Sequence, residues 1–123
     1  MSHFLGLRTG KVVVPDLARA KRWYADAFGV EPYFDEPFYV GFDIGGFELG
    51  LDPDMTNART GPGGTTTYWG VRDAEAALAH LLAIGATAHE PLTDVGGGIK
   101  VATVLDPFGN PLGIIENPHF KGA

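Results

Sequence analysis

The sequence contains no cysteine. That excludes disulfides, thiol catalysis and cysteine-ligated zinc, and it is compatible with a reducing cytoplasm, where the chain is expected to reside. Its one serine is Ser2, so no serine-based nucleophilic triad is visible. Positive charge is sparse: 9 Lys and Arg stand against 15 Asp and Glu, a net charge of −6. The densest basic stretch, Lys11, Arg19, Lys21 and Arg22, reads as a solvated helix face, and no phosphate-binding patch for nucleic acid exists. No apolar run approaches the ~20 residues that span a bilayer, and the first residues have no long apolar core of a signal peptide. What remains is a chain of 123 residues, one domain by length, with ordinary apolar content and 18 glycines and 9 prolines that imply many turns.

An internal repeat organises the chain. Asp16-Leu17-Ala18-Arg19-Ala20 opens one helical stretch that closes near Phe28-Gly29. Asp73-Ala74-Glu75-Ala76-Ala77 opens another that closes near Ile84-Gly85. Each aspartate can cap free N–H groups, and each glycine suits the residue just past a helix. The offsets are 73 − 16 = 57 and 85 − 29 = 56, the layout of a duplicated module. Leu17, Ala20, Tyr24, Ala27 and Phe28 recur at helical spacing, as do Ala77, Leu78, Leu81 and Ile84.

Strands are expected over Leu7–Val14, Phe38–Ile44, Phe47–Leu51, Thr65–Val71, Lys100–Leu105 and Leu112–Glu116. Residues from Asp52 to Thr66 read as a linker, and Thr93–Gly98 as a glycine-rich loop. Gly45-Gly46 between two strands is a hairpin signal that sets register: Ile44 opposite Phe47, Asp43 opposite Glu48, Phe42 opposite Leu49, Gly41 opposite Gly50. Val40, Phe42, Ile44, Phe47, Leu49 and Leu51 then form an apolar face for a helix. Tyr39, Gly41, Asp43, Glu48, Gly50 and Asp52 form the open face, where a ligand would sit.

The duplicated layout, Val-Pro-Asp-Leu-Ala-Arg-Ala-Lys-Arg-Trp-Tyr at 14–24, and the closing Asp-Pro-Phe-Gly-Asn-Pro-Leu-Gly-Ile-Ile-Glu at 106–116 resemble the vicinal oxygen chelate superfamily. It holds glyoxalase I, bleomycin-resistance proteins and extradiol dioxygenases. The resemblance implies an α+β fold of two tandem βαβββ modules, at about 5–52 and 65–118 with a linker at about 53–64. Their mixed sheets would be cupped, with the helices outside. The modules would close the cup within one chain or by exchange across a homodimer. In the metal enzymes of the group, His, Gln or Glu side chains on cup strands hold one divalent ion. Carried onto this sequence, the positions are Thr9, Gly50, Thr67 and Gly113, none of which is a good ligand for a catalytic metal.

The expectation is therefore a metal-free cup that binds a small, partly aromatic molecule. With Thr67 facing in, Trp69 would face in too, as an aromatic wall or else as a core or interface residue, with Tyr39 near it. Lys11 would share the face of Thr9, pairing with Asp43 or Glu48 or holding an anionic group. The carboxylates Asp43, Glu48 and Asp52 suit a cationic ligand. The alternative is a divalent-metal-dependent lyase, isomerase or dioxygenase with Glu48, Glu116 or His89 as ligands. Strand alternation sets Glu116 out of phase with Gly113.

Overall fold

The computed structural model describes residues 3, 7–56, 58–63 and 66–119. Leu5, Gly64 and Thr65, used above as a module bound, a linker residue and a strand start, lie outside the described residues. The chain divides into two compact units, residues 1–59 and 60–123.

In the first unit, β1 (Thr9–Val13) leads into α1 (Leu17–Phe28), then β2 (Phe34–Glu36), β3 (Tyr39–Ile44) and β4 (Phe47–Asp52). The sheet order is β1-β4-β3-β2, with β1 parallel to β4 and the other pairs antiparallel. Asp16 caps α1 by accepting the Arg19 N–H at 3.1 Å. Burial selects Ala20, Trp23 and Tyr24 on this helix. They pack with Val14, Val40, Phe42, Leu49 and Leu51, all at most 1% exposed; each large apolar side chain so buried contributes about 1.5–3 kcal/mol.

The hairpin register is the one expected, from Val40–Leu51 through Gly41–Gly50, Phe42–Leu49 and Asp43–Glu48 to Ile44–Phe47. Gly45 and Gly46 both have positive φ, 60° and 94°. That is the left-handed backbone a tight two-residue hairpin requires. Asp43 is drawn into this turn, where its Oδ1 accepts the Gly46 N–H at 2.8 Å.

The second unit repeats the plan with β5 (Tyr68–Gly70), α2 (Ala74–Ala83), β6 (Thr87–Asp94), β7 (Lys100–Leu105) and β8 (Pro111–Glu116) in the order β5-β8-β7-β6. Asp73 caps α2 through the Ala76 N–H at 3.0 Å. Two helices and two four-stranded mixed sheets make this an α+β fold of two βαβββ modules, as the sequence implied. Two strands are additions to the expected set. β2 has only three residues, and β6 carries register shifts between Ala88 and Glu90 and between Glu90 and Thr93. β6 takes in His89, and also Thr93 and Asp94, expected in the glycine-rich loop.

Two side chains fix which face of the second sheet α2 covers. Glu116 accepts the Ala74 N–H at 2.8 Å, and Lys100 pairs with Glu75 at 2.9 Å. Glu116 is thus on the helix side, with Leu112, Ile114, Ala102 and Val104. It caps a helix and is removed from the alternative ligand set. Glu116→Ala is expected to cost about 1 kcal/mol in urea denaturation, the usual loss of a capping acceptor.

Candidate functional site

The open face of the first sheet gathers around Glu48. β1 lies parallel to β4 with Thr9 beside Glu48 and Lys11 beside Gly50. Thr9 Oγ1 donates to Glu48 Oε1 at 2.8 Å, and Tyr39 Oη donates to the same oxygen at 2.9 Å. Tyr33 Oη donates to Glu48 Oε2. One carboxylate therefore binds three neutral hydroxyls from three separate segments.

This geometry fixes the protonation states. The hydrogen bond from Tyr33, with those from Thr9 and Tyr39, holds the Glu48 carboxyl below the ordinary glutamate range, against the opposing push of burial. Burial, then the hydrogen bond to Glu48, pushes the Tyr39 phenol far up, and the hydrogen bond to Glu48 also raises Tyr33. Both tyrosines stay protonated donors through the neutral range, so neither serves as a base. A carboxyl lowered by folding stabilises the folded state above its unfolded pKa of about 4.3 and stops doing so as pH falls through its folded value. The stability gap between the native chain and Glu48→Gln is therefore expected to close below about pH 4, measured by urea denaturation from pH 7 downward. A gap constant with pH would contradict this.

Beside Glu48, two glycines face each other on β3 and β4, and the space above them is filled. A Cβ at Gly50 would lie 1.9 Å from Tyr39 Oη. One at Gly41 would lie 2.8 Å from Glu48 Oε2 and 3.1 Å from the Tyr33 ring. In the second sheet a Cβ at Gly113 would lie 2.7 Å from the Tyr68 ring and 2.8 Å from the Thr67 carbonyl oxygen. So two of the four positions that the resemblance assigns to metal ligands have no donor, and tyrosine rings stand where one would project. Glu48 already accepts three hydrogen bonds. Among the described residues, no three His, Asp or Glu side chains are grouped to hold an ion. Gly50 and Gly113 therefore supply no side-chain donor of the kind the family's metal enzymes use there.

Of the expected site residues, Thr9, Tyr39 and Glu48 come together. Lys11 shares their face and pairs with Asp52 at 3.5 Å, where Asp43 or Glu48 was expected. Asp43 shares the face but serves the hairpin turn. Trp69 is a correction. β5 pairs with β8 as Tyr68–Gly113 and Trp69–Ile114, so Trp69 lies on the α2 side and Tyr68 on the open face. Thr67 precedes β5, and its carbonyl accepts the Gly113 N–H at 3.0 Å. Tyr33 went unrecognised; the hairpin faces gave no signal for it, because it lies outside the hairpin.

On the second sheet's open face, Thr103, 2% exposed and paired with Gly113, donates to Glu90 Oε1 at 2.8 Å. No helix among the described residues is long and apolar enough to cross a membrane.

The fold agrees with a sequence-level match. The family model of the Glyoxalase/Bleomycin resistance protein/Dioxygenase superfamily covers residues 1–114, and the chain belongs to that superfamily. Solved structures share the fold. A glyoxalase-related enzyme from Fulvimarina pelagi matches with a TM-score of 0.78 at 24% identity, over 98% of this chain and 94% of its own. A superfamily member from Sphaerobacter thermophilus matches at 0.75 and 24%, over 93% and 98%. A glyoxalase/bleomycin resistance protein from Catenulispora acidiphila matches at 0.69 and 24%, over 92% and 100%. At these identities the likeness is one of fold, and function rests on the site itself. No curated protein matches the sequence.

Proposed function

We propose that this chain is a metal-free small-molecule binding protein of the glyoxalase/bleomycin-resistance type, holding a partly aromatic ligand on the open face of its first sheet. One observation carries the reading. Where the metal enzymes of the family place a donor, this chain has Gly50 with the Tyr39 phenol above it, and the phenol is tied to Glu48. The face is thereby turned from a coordinating surface into a hydrogen-bonded, aromatic one. Tyr33 and Tyr39 supply flat apolar surface with a polar tip, the combination that suits planar organic ligands.

Two measurements test this. Purified protein incubated in turn with Zn, Ni, Mn and Fe(II), then dialysed, is expected to retain far less than one metal per chain by mass spectrometry. Near-stoichiometric retention of any one overturns the reading in favour of a metal-dependent lyase, isomerase or dioxygenase. A thermal-shift screen of aromatic small molecules is expected to find stabilising ligands; at 100 times Kd a single site adds about 2.7 kcal/mol. Binding should perturb Tyr33 and Tyr39, and Tyr33→Ala should weaken it. A screen that finds no ligand counts against the proposal.

A further inference from the structure

We infer that the Glu48 carboxylate is a receptor for the protonated primary or secondary amine of an aryl-alkyl-amine ligand. This rests on reading the first sheet's open face as a ligand site, and it names the chemical class that the site takes.

A carboxylate offers about four lone-pair directions. Oε1 accepts from Thr9 and Tyr39, and Oε2 accepts from Tyr33. Three directions are filled and one remains, on Oε2. All three donors are neutral, so the carboxylate keeps its full negative charge. No cationic side chain among the described residues pairs with it: Lys11 goes to Asp52, Lys21 to Asp35 and Lys100 to Glu75. Asp43, directly across the hairpin, adds negative potential. A fourth donor that carries positive charge meets both needs.

A guanidinium binds a carboxylate best as a fork, which needs a free direction on each oxygen. Oε1 has none, so the fork does not form. A quaternary ammonium has no N–H and leaves the fourth direction empty. An ammonium N–H fits. Tyr33 is 64% exposed and Phe38 65%, and the Phe34 ring lies 6.1 Å edge-on from both Phe38 and Tyr39. Exposed π faces beside an anion attract a cation and an aryl group together. The charge, narrowed from three carboxylates to one, and the aromatic side chains thus share the open face of the sheet, Glu48 on β4 and Phe34 on β2.

The test pairs 2-phenylethylammonium with its neutral isostere 2-phenylethanol, titrated into the full-length protein at pH 7 and followed by amide NMR shifts. The ammonium probe is expected to bind at least 10-fold tighter than the alcohol, with shifts centred on Tyr33, Phe34, Tyr39 and Glu48. In Glu48→Gln the two probes should bind alike, with the melting temperature recorded to show that the variant is folded. Phenyltrimethylammonium should bind more weakly than 2-phenylethylammonium. Equal affinity of the ammonium and the alcohol in the native chain overturns the amine assignment, as does saturable ammonium binding mapped elsewhere. Such a result leaves the ligand-site reading standing if the screen has found neutral aromatic ligands; failure of that screen as well removes both.

Discussion

Asp106→Ala is expected to lower the melting temperature by about 10 °C. Asp106 is 3% exposed and sits at the head of the turn between β7 and β8. Its Oδ1 accepts the Phe108 N–H at 2.8 Å and the Asn110 N–H at 2.9 Å, and its Oδ2 accepts from Asn110 Nδ2 at 3.4 Å. Asn110 is itself buried, and its Oδ1 accepts the Gly61 N–H at 2.9 Å. Alanine strands several donors in a closed turn, at about 1–3 kcal/mol for each buried group left unmatched. The sum is about 3 kcal/mol after partial relaxation, and each kcal/mol moves the midpoint of a domain this size by several degrees. Asp106→Asn keeps an Oδ acceptor for the two main-chain donors but sets an amide against Asn110 Nδ2, so it should cost about 1 kcal/mol. Calorimetry on both variants decides the matter; a loss below 1 kcal/mol for alanine would show that the turn does not depend on the carboxylate.

Adding one methyl to the sheet is the second large effect, and it should differ between modules. Gly50→Ala puts a carbon 1.9 Å from Tyr39 Oη, so the ring must swing away and release Glu48. Gly113→Ala meets the Tyr68 ring at 2.7 Å and the Thr67 carbonyl oxygen at 2.8 Å. Overpacking of this kind typically costs about 1–3 kcal/mol. The obstacle at 50 is only a side chain, so Tyr39→Ala should rescue much of the Gly50→Ala loss. The obstacle at 113 is partly main chain and is held by its own hydrogen bond to Gly113. Tyr68→Ala should therefore rescue little there. Double-mutant cycles in urea measure both couplings. Additive losses at 39 and 50 would mean that the ring does not define that space.

These contrasts also show what the sequence made legible. The glycine pair at the hairpin tip set the β3–β4 register, and every face assignment on those strands holds. The capping aspartates located both helices. Trp69 was misplaced because Thr9 was matched to Thr67, an offset of 58. The modules themselves repeat at 57, with Lys11 beside Gly50 and Tyr68 beside Gly113, and 68 − 11 = 57. A one-residue slip exchanges the two faces of a strand. The helix offset from Asp16 to Asp73 already contained the right number. β2 and β6 were harder to read: one is too short to show alternation, and the other breaks it twice through its register shifts. Tyr33 joins Glu48 across fifteen residues of chain, a contact that no local period encodes.

The two occupied glycines also constrain how this chain can change. A donor side chain introduced at position 50 or 113 collides with a tyrosine already there. Removing Tyr39 first strips a hydrogen bond from Glu48. Either order passes through a less stable intermediate, so a longer side chain at position 50 is two mutations away, and at 113 the Thr67 carbonyl still blocks it after Tyr68 is removed. The Tyr39 ring thus acts as a latch on position 50: it must move before any side chain there can reach the open face.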